Sequence, residues 1–158
     1  RISDYTFSKC ISLTEIKIPG NIREIGYKSF SGCSGLREIS IPSTVKTVGI
    51  GAFENCTELK DISLPTTLTE INYYTFSGCT SLTTLTLHSK LTAINNYAFA
   101  GCKSLTEIHC KNSNPPLIGE NTFRDVNRIG CKIFVPSKRA KKSYSTALYW
   151  NEFTIYIE

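Results

Sequence analysis

Apolar residues recur along this chain with a period much longer than that of a helix or a strand. Three residue types keep the same 23-residue step through five cycles. They are Phe7, Phe30, Phe53, Phe76 and Phe99; Cys10, Cys33, Cys56, Cys79 and Cys102; and Leu13, Leu36, Leu59, Leu82 and Leu105. A period between about 20 and 29 residues is typical of a solenoid built from stacked coils. The spacing therefore predicts a solenoid.

The pattern within one period predicts the elements of a coil. After Leu36, apolar Ile39 and Ile41 alternate with polar residues, which indicates a strand, and Pro42 ends it. A second apolar pair follows, and the segment that carries Phe and Cys predicts a short helix or 3-10 turn on the opposite side. The expected fold is a right-handed horseshoe or arc of the α/β type, with one short parallel strand and one short helical turn per coil.

The seven cysteines fit this fold without disulfide bonds. Five of them share one column of the repeat, where a free cysteine acts as a small buried apolar residue. We expect these five thiols to be reduced and buried in a line. Cys110 occupies a core position of a strand and Cys131 lies nearer the C-terminus, so a bridge between Cys110 and Cys131 stays open at this point.

The repeats and the C-terminal segment divide the chain into two parts. Residues 1–110 form five 23-residue repeats, and residues 111–158 form a C-terminal capping segment with short strands and one helix, about 138–150. Ser137 is a suitable N-cap for that helix, and Trp150 and Phe153 are expected to cover the end of the last coil.

The N-terminal end has no such cover in the sequence, since Arg1 begins inside a repeat unit. We expect further repeats before it in the full protein. The strand edge at residues 14–18 is then exposed in this chain, and two copies could associate end to end through Ile2, Phe7 and Ile16.

Composition and motifs exclude several function classes. The net charge is +5, but the basic excess lies in residues 111–158 rather than in a stripe interleaved with aromatics, so no nucleic-acid partner is expected. No apolar run is long enough for membrane insertion. None of the common catalytic or nucleotide-binding motifs occurs, and His88 and His109 have no further ligands near them for a metal. We expect no enzyme, no metal and no cofactor.

Two columns of outward strand residues form the first candidate surface. The first column is Glu15, Glu38, Asp61, Thr84 and Glu107, and the second is Lys17, Ser40, Ser63, Thr86 and His109. Arg37 and Lys60 stand next to the acidic column and are expected to relieve its repulsion. The pattern predicts a polar protein-binding surface with an acidic rib; the alternative interpretation is that these charges only keep an exposed sheet soluble.

Two further surfaces have a functional and a structural interpretation each. Lys138, Arg139, Lys141 and Lys142 begin the predicted helix and could bind an anionic ligand, or could simply be solvated lysines and arginine. Tyr5, Tyr74 and Tyr97 share one repeat column, with Tyr73 beside it. These rings are candidates for a glycan platform, or for a cover over the coil.

The repeat unit resembles that of the BspA-like leucine-rich repeat proteins. The closest stretch is Ile-Gly-x-x-Ala-Phe-x-x-Cys-x-x-Leu-x-x-Ile-x-Ile-Pro, which here runs from Val48 to Pro65. The resemblance implies a leucine-rich repeat solenoid that is extracellular or at the cell surface and adheres to host matrix proteins or other microbes. A rigid structural spacer and a carbohydrate-binding accessory module of a larger surface protein are the alternatives.

Overall fold

Short parallel strands dominate the computed structural model, which describes all of residues 1–158. The strands are β1 (Glu24–Ile25), β2 (Glu38–Ser40), β3 (Thr47–Val48), β4 (Asp61–Ser63), β5 (Glu70–Ile71), β6 (Thr84–Leu87), β7 (Ala93–Ile94), β8 (Glu107–Cys110), β9 (Leu117–Ile118), β10 (Lys132–Val135) and β11 (Thr154–Ile157). One α-helix, α1 (Lys138–Thr146), and one 3-10 helix (Trp150–Glu152) lie near the C-terminus.

One side of the solenoid, here called the sheet side, carries the strands that the sequence predicts after each leucine. β2 pairs with β4, and β6, β8, β10 and β11 form a four-stranded parallel sheet. In register, Leu85 lies beside Ile108 and Ile108 beside Ile133, so the inward residues of successive coils stack. The solenoid of 23-residue coils is confirmed. In the first coil, residues 15–18 form no strand.

A second ladder forms where the sequence predicts only a returning apolar pair. β1 pairs with β3, and β5, β7 and β9 form a three-stranded sheet, all in parallel. Each of these strands is only two residues long. From the second coil onward, the coils contribute strands to two separate ladders, with the apolar side chains of both facing the core.

The opposite side, here called the turn side, consists of consecutive turns instead of the predicted helical turn. Two residues in each of the first five coils have the left-handed backbone, such as Tyr74 (φ 59°) and Gly78 (φ 74°), and an α-helix cannot continue through them. Backbone N–H groups donate to the next coil instead, as Phe53 N does to Thr75 O at 2.9 Å. The turn side is thus bonded across coils as well as by short-range turns within them, such as Cys56 N to Phe53 O at 3.3 Å.

Stacked phenylalanines and cysteine thiols fill the core beneath the turn side. Ring centroids of successive phenylalanines are 5.0–5.6 Å apart from Phe7 to Phe123. The next column is formed by buried thiols, each of which donates to the carbonyl of a phenylalanine one coil earlier; Cys79 Sγ and Phe53 O are 3.4 Å apart. The column therefore satisfies a backbone acceptor as well as filling space.

All seven cysteines are free thiols, and six are buried. The prediction of buried cysteines is wrong for Cys10, which is exposed because no coil covers the first one on that side in this chain. Cys110 and Cys131 are both buried and unbridged, which answers the question left open by the sequence.

A sixth coil follows the five that the sequence predicts, and it lies inside the segment assigned to the C-terminal end. Its phenylalanine is Phe123, which stacks on Phe99 at 5.6 Å, and its cysteine position holds Val126. The step from Phe99 to Phe123 is one residue longer than the others. The longer step and the missing cysteine hide this coil from a strict 23-residue search.

The C-terminal residues fold back over the sixth coil. Ser137 caps α1 by accepting a hydrogen bond from Ala140 N at 3.1 Å. The helix ends at Thr146, earlier than predicted, and Tyr149 takes a left-handed backbone (φ 65°). The chain thereby turns Trp150 inward, where its Nε1 donates to Pro116 O at 2.8 Å and its ring meets Phe123. β11 then pairs with β10.

Candidate functional site

A groove of about 1080 Å³ runs across the sheet side of the first four coils. Eight of its lining residues are the outward side chains singled out in the sequence: Glu15, Lys17, Glu38, Ser40, Asp61, Ser63, Thr84 and Thr86. They come together because side chains alternate along each strand and parallel pairing places equivalent positions side by side. Ile16, Ile39 and Ile62 lie between them on the groove floor.

The groove is acidic, and its acids are not neutralised by the chain itself. Glu38 and Asp61 are direct register partners, and Glu15 lies one coil before them. None of the three carboxylates makes an ion pair. Arg37 and Lys60, expected as their counter-ions, are exposed, do not line the groove and make no ion pair either. The carboxylates are therefore free to meet a cationic group from outside.

The groove crosses an interruption in the backbone ladder. No backbone hydrogen bond joins β4 to β6, although β4 is paired with β2, and β6 with β8. The second ladder is interrupted nearby, between β3 and β5. The groove thus spans two blocks of strands that are paired separately on the sheet side, while backbone hydrogen bonds such as Phe53 N to Thr75 O still join their coils on the turn side.

Glu107 and His109 do not line the groove, although they are the register partners of Thr84 and Thr86 on the same sheet. His109 Nδ1 lies 2.6 Å from Glu158 Oε1, and its ring stacks on Phe134 at 4.8 Å. Lys111 Nζ donates to Glu158 Oε2 at 2.6 Å. Hydrogen bonds from Lys111 and His109 lower the pKa of the Glu158 carboxyl. These contacts occupy the C-terminal end of the sheet side.

Sequence reasoning missed Phe134, Tyr156 and Glu158 as parts of this surface. Phe134 is the outward residue between buried Ile133 and Val135, so alternation within that strand is a signal that could have found it. Its ring lies between those of His109 and Tyr156, at 4.8 Å and 5.7 Å. Glu158 joins only through the pairing of β11, which no local pattern reveals.

The basic residues of α1 form a separate surface. Lys138, Arg139, Lys141 and Lys142 are all exposed, and none of them makes an ion pair. None of them lines the groove. The chain therefore carries an unpaired acidic face on its early coils and an unpaired basic face near its C-terminus.

The two histidines are not brought together. His88 is buried, its Nδ1 accepts a hydrogen bond from Lys90 N at 3.3 Å, and burial lowers its pKa. No group of three or more His, Cys, Asp or Glu side chains is placed to hold a metal ion. The chain also contains no helix with the length and apolar character that crossing a bilayer requires.

Comparison with known families gives one result that covers most of the chain. The family model described as the BspA type leucine-rich repeat region matches residues 1–134, in six copies. Six copies agree with the six coils of the structure. No curated protein matches the chain.

Solved structures with the same fold include proteins from three bacteria. A leucine-rich cell surface protein from Faecalibacterium prausnitzii A2-165 is 30% identical with a TM-score of 0.72, over 84% of this chain and 35% of that one. A leucine-rich repeat protein from T. pallidum is 30% identical with a TM-score of 0.66, over 68% of this chain and 50% of that one. The pneumococcal vaccine antigen PcpA, 23% identical with a TM-score of 0.65 over 92% of this chain and 41% of that one, shows the fold alone. This chain spans half or less of the length of each.

Proposed function

Because the chain belongs to the BspA-type leucine-rich repeat family, we propose that it is a protein-binding module of a cell-surface or secreted protein and that its sheet-side groove binds the partner. The observation that carries this proposal is the groove itself, about 1080 Å³ in volume and lined by three carboxylates without counter-ions. Horseshoe-like repeat proteins commonly bind along such an extended face.

The charge of the groove defines the chemistry of the partner. The groove lining contains three carboxylates, those of Glu15, Glu38 and Asp61, but only one ammonium group, that of Lys17. The excess of negative charge favours a segment rich in lysine or arginine. Complementary charge speeds association and makes it dependent on salt. Host extracellular-matrix proteins and microbial surface proteins that carry basic segments are the proposed partners, and adhesion is the proposed role.

A surface location is supported by the family and by one of the similar structures. The F. prausnitzii protein, which is 30% identical over 84% of this chain, is itself described as a cell surface protein. A module that is exposed on a cell can reach matrix proteins and neighbouring cells. Location and adhesion thus belong to the same proposal.

We also propose that residues 136–158 act as the cap of the array. Trp150 and Phe153 are buried against Phe123, with ring centroids 5.8 Å and 5.6 Å from it. Arrays of coils need a closing element because an open end leaves apolar columns in water. The packing of both rings against Phe123, the last phenylalanine of the column, supports this role.

Surface plasmon resonance tests the binding proposal. The 158-residue chain is passed over immobilised collagen, laminin and fibronectin, together with the double variant Glu38→Lys/Asp61→Lys. We expect binding by the parent chain that weakens with salt, and loss of binding in the variant. A matched control, Glu70→Lys/Glu120→Lys, changes the net charge equally at exposed sites outside the groove and is expected to bind.

Two outcomes contradict the proposal, and one relocates the site. Equal binding by the groove variant and the control excludes the groove, and no binding to any protein favours the rigid spacer. Loss of binding in Lys141→Glu/Lys142→Glu alone assigns an anionic ligand to the basic face of α1. Sedimentation of the same samples shows whether the copies associate at all, which an end-to-end contact through Ile2, Phe7 and Ile16 requires.

A further inference from the structure

The turn side carries two columns of left-handed residues, and they are occupied by very different side chains. One column is Lys9, Gly32, Asn55, Gly78, Gly101 and Asp125, and the other is Tyr5, Lys28, Gly51, Tyr74 and Tyr97. Glycine, asparagine and aspartate are the residues that tolerate this backbone best. The first column follows that preference, whereas three of the five residues in the second are tyrosines. Because backbone conformation does not favour tyrosine there, the rings call for an explanation through their side chains.

Packing explains only part of the tyrosine column. Tyr74 and Tyr97 stack in parallel, with centroids 4.9 Å apart and an interplanar angle of 1°. Tyr74 is still 38% exposed, and Tyr73 and Ile50 in the adjoining column are 44% and 40% exposed. A contiguous exposed apolar surface of this kind marks an interaction site more often than isolated exposed residues do.

One face of the Tyr74 ring has no aromatic neighbour. Tyr97 covers the other face, and on the open side the equivalent residue one coil earlier is Gly51, which has no side chain. The stem of Lys28 and the carboxylate of Glu54 lie beside Gly51, within 3.2–3.3 Å of the place where a Cβ would stand. Lys28 Nζ and Glu54 Oε2 form an ion pair at 3.1 Å. The result is an aromatic face next to a fixed donor and a fixed acceptor.

We infer that this place, formed by Tyr74, Gly51, Lys28 and Glu54, is a binding site for a neutral glycan. The C–H groups on one face of a pyranose ring pack on an aromatic face, and its hydroxyl groups both donate and accept hydrogen bonds. The Glu54 carboxylate can accept from a hydroxyl, and the Lys28 ammonium can donate to one. Tyr74 supplies the apolar face and keeps its hydroxyl in water.

The charges and the repeat favour a glycan over a basic or acidic protein segment. The site contains one positive and one negative group, and these are already paired, so it has no net charge to attract an ionic partner. The repeat supplies the place for one sugar ring, because Gly51 leaves the position before Tyr74 in the column without a side chain.

Titration of the chain with cellohexaose and with N-acetylchitohexaose tests the inference. Calorimetry measures the affinity, and amide chemical shifts locate the binding site. We expect shifts in residues 50–54 and 73–75 of the parent chain. Tyr74→Ala removes the platform and should weaken binding about tenfold, the upper range for an aromatic contact. Gly51→Tyr completes the tyrosine column and should abolish binding by covering the free face; the same backbone accepts tyrosine at Tyr74 (φ 59°). The control Tyr156→Ala, at an equally exposed tyrosine on β11, should bind normally.

Each of the other results overturns the inference. If neither oligosaccharide shifts any amide signal up to its solubility limit, the ligand is not a neutral glycan of this kind. If Tyr74→Ala and Gly51→Tyr both bind as the parent chain does, the glycan binds elsewhere. A protein from the matrix panel whose binding these two variants abolish would assign the surface to protein instead. The groove variant Glu38→Lys/Asp61→Lys is expected to bind the oligosaccharides normally, so that this site and the groove are tested independently.

Discussion

Glu38 and Asp61 stand side by side on the sheet side, as register partners of the paired strands β2 and β4, and neither carboxylate has a counter-ion. Like charges placed directly opposite each other destabilise a sheet by roughly 0.2–1 kcal/mol. A groove whose acids repel one another is stabilised when a cation enters it. The two carboxylates therefore favour binding of a cationic partner but lower the stability of the free chain.

Asp61→Asn is expected to stabilise the chain by about 0.2–1 kcal/mol, because it removes this repulsion. Urea unfolding at low salt measures the change, and added salt should reduce it. The matched control is Glu70→Gln on β5, whose register partner is the uncharged Ala93, and it should change stability little. Destabilisation by Asp61→Asn would contradict the account of an unrelieved acidic rib.

Thiol labelling of the native chain is expected to modify Cys10 and spare the other six cysteines. Cys10 is exposed, whereas burial raises the pKa values of Cys56, Cys102, Cys110 and Cys131 to about 12. Since the thiolate is the reactive form, these buried groups do not react at neutral pH. Mass spectrometry after iodoacetamide should show one label in the native chain and seven in urea. A mass that reveals a disulfide would contradict the reduced column.

The repeat spacing explains why the core could be predicted so fully from the sequence. Residues one period apart occupy one column, so the buried positions of Phe53, Cys56 and Leu59 follow from arithmetic alone. The backbone between the columns does not follow from it. The left-handed Tyr97 on the turn side donates a backbone hydrogen bond to the next coil, from its N to Asn121 O at 3.1 Å, and the interruption between β4 and β6 depends on how whole coils stack.

Phe53→Ala is expected to cost about 3–5 kcal/mol of unfolding free energy, because it empties a fully buried site between two stacked rings. Phe53 lies between Phe30 and Phe76, at 5.2 Å and 5.4 Å. Phe7→Ala is the matched control, since Phe7 is only half-buried and stacks on one ring. It should cost clearly less in the same urea titration. If Phe53→Ala and Phe7→Ala lowered the unfolding free energy equally, this would contradict the idea that a phenylalanine stabilises the fold by stacking on both of its neighbours in the column.

The candidate site could be predicted in part for similar reasons. Strand alternation places Glu38 and Ser40 outward, and the period places them beside Asp61 and Ser63, so the groove lining was foreseeable. The contacts made by the C-terminal residues, which fold back onto the sheet side, could not be foreseen. The His109–Glu158 contact spans 49 residues and exists only because β11 pairs with β10. Such a contact leaves no periodic trace in the sequence.

Glu158→Gln is expected to lower the melting temperature at neutral pH and to lose this effect in acid. The folded chain lowers the pKa of Glu158 through hydrogen bonds from Lys111 and His109. A carboxyl with a lowered folded-state pKa stabilises the fold above its unfolded pKa, and this stabilisation is lost as the pH falls through the folded value. Melting curves across pH 3–7 should therefore converge at the acid end. Glu120→Gln, an exposed acid without an ion pair, should follow the parent chain throughout, and curves for Glu158→Gln that stay parallel to the parent would contradict the contact.

Hydrogen exchange of the 158-residue chain, with and without the matrix protein that it binds most strongly in the resonance panel, tests the central claim most directly. If the groove is the protein-binding surface, amides in β2, β4 and β6 gain protection in the complex, while those in α1 (Lys138–Thr146) do not change. Protection confined to α1 or to the turn side would contradict the claim, as would a failure of every protein in the panel to bind.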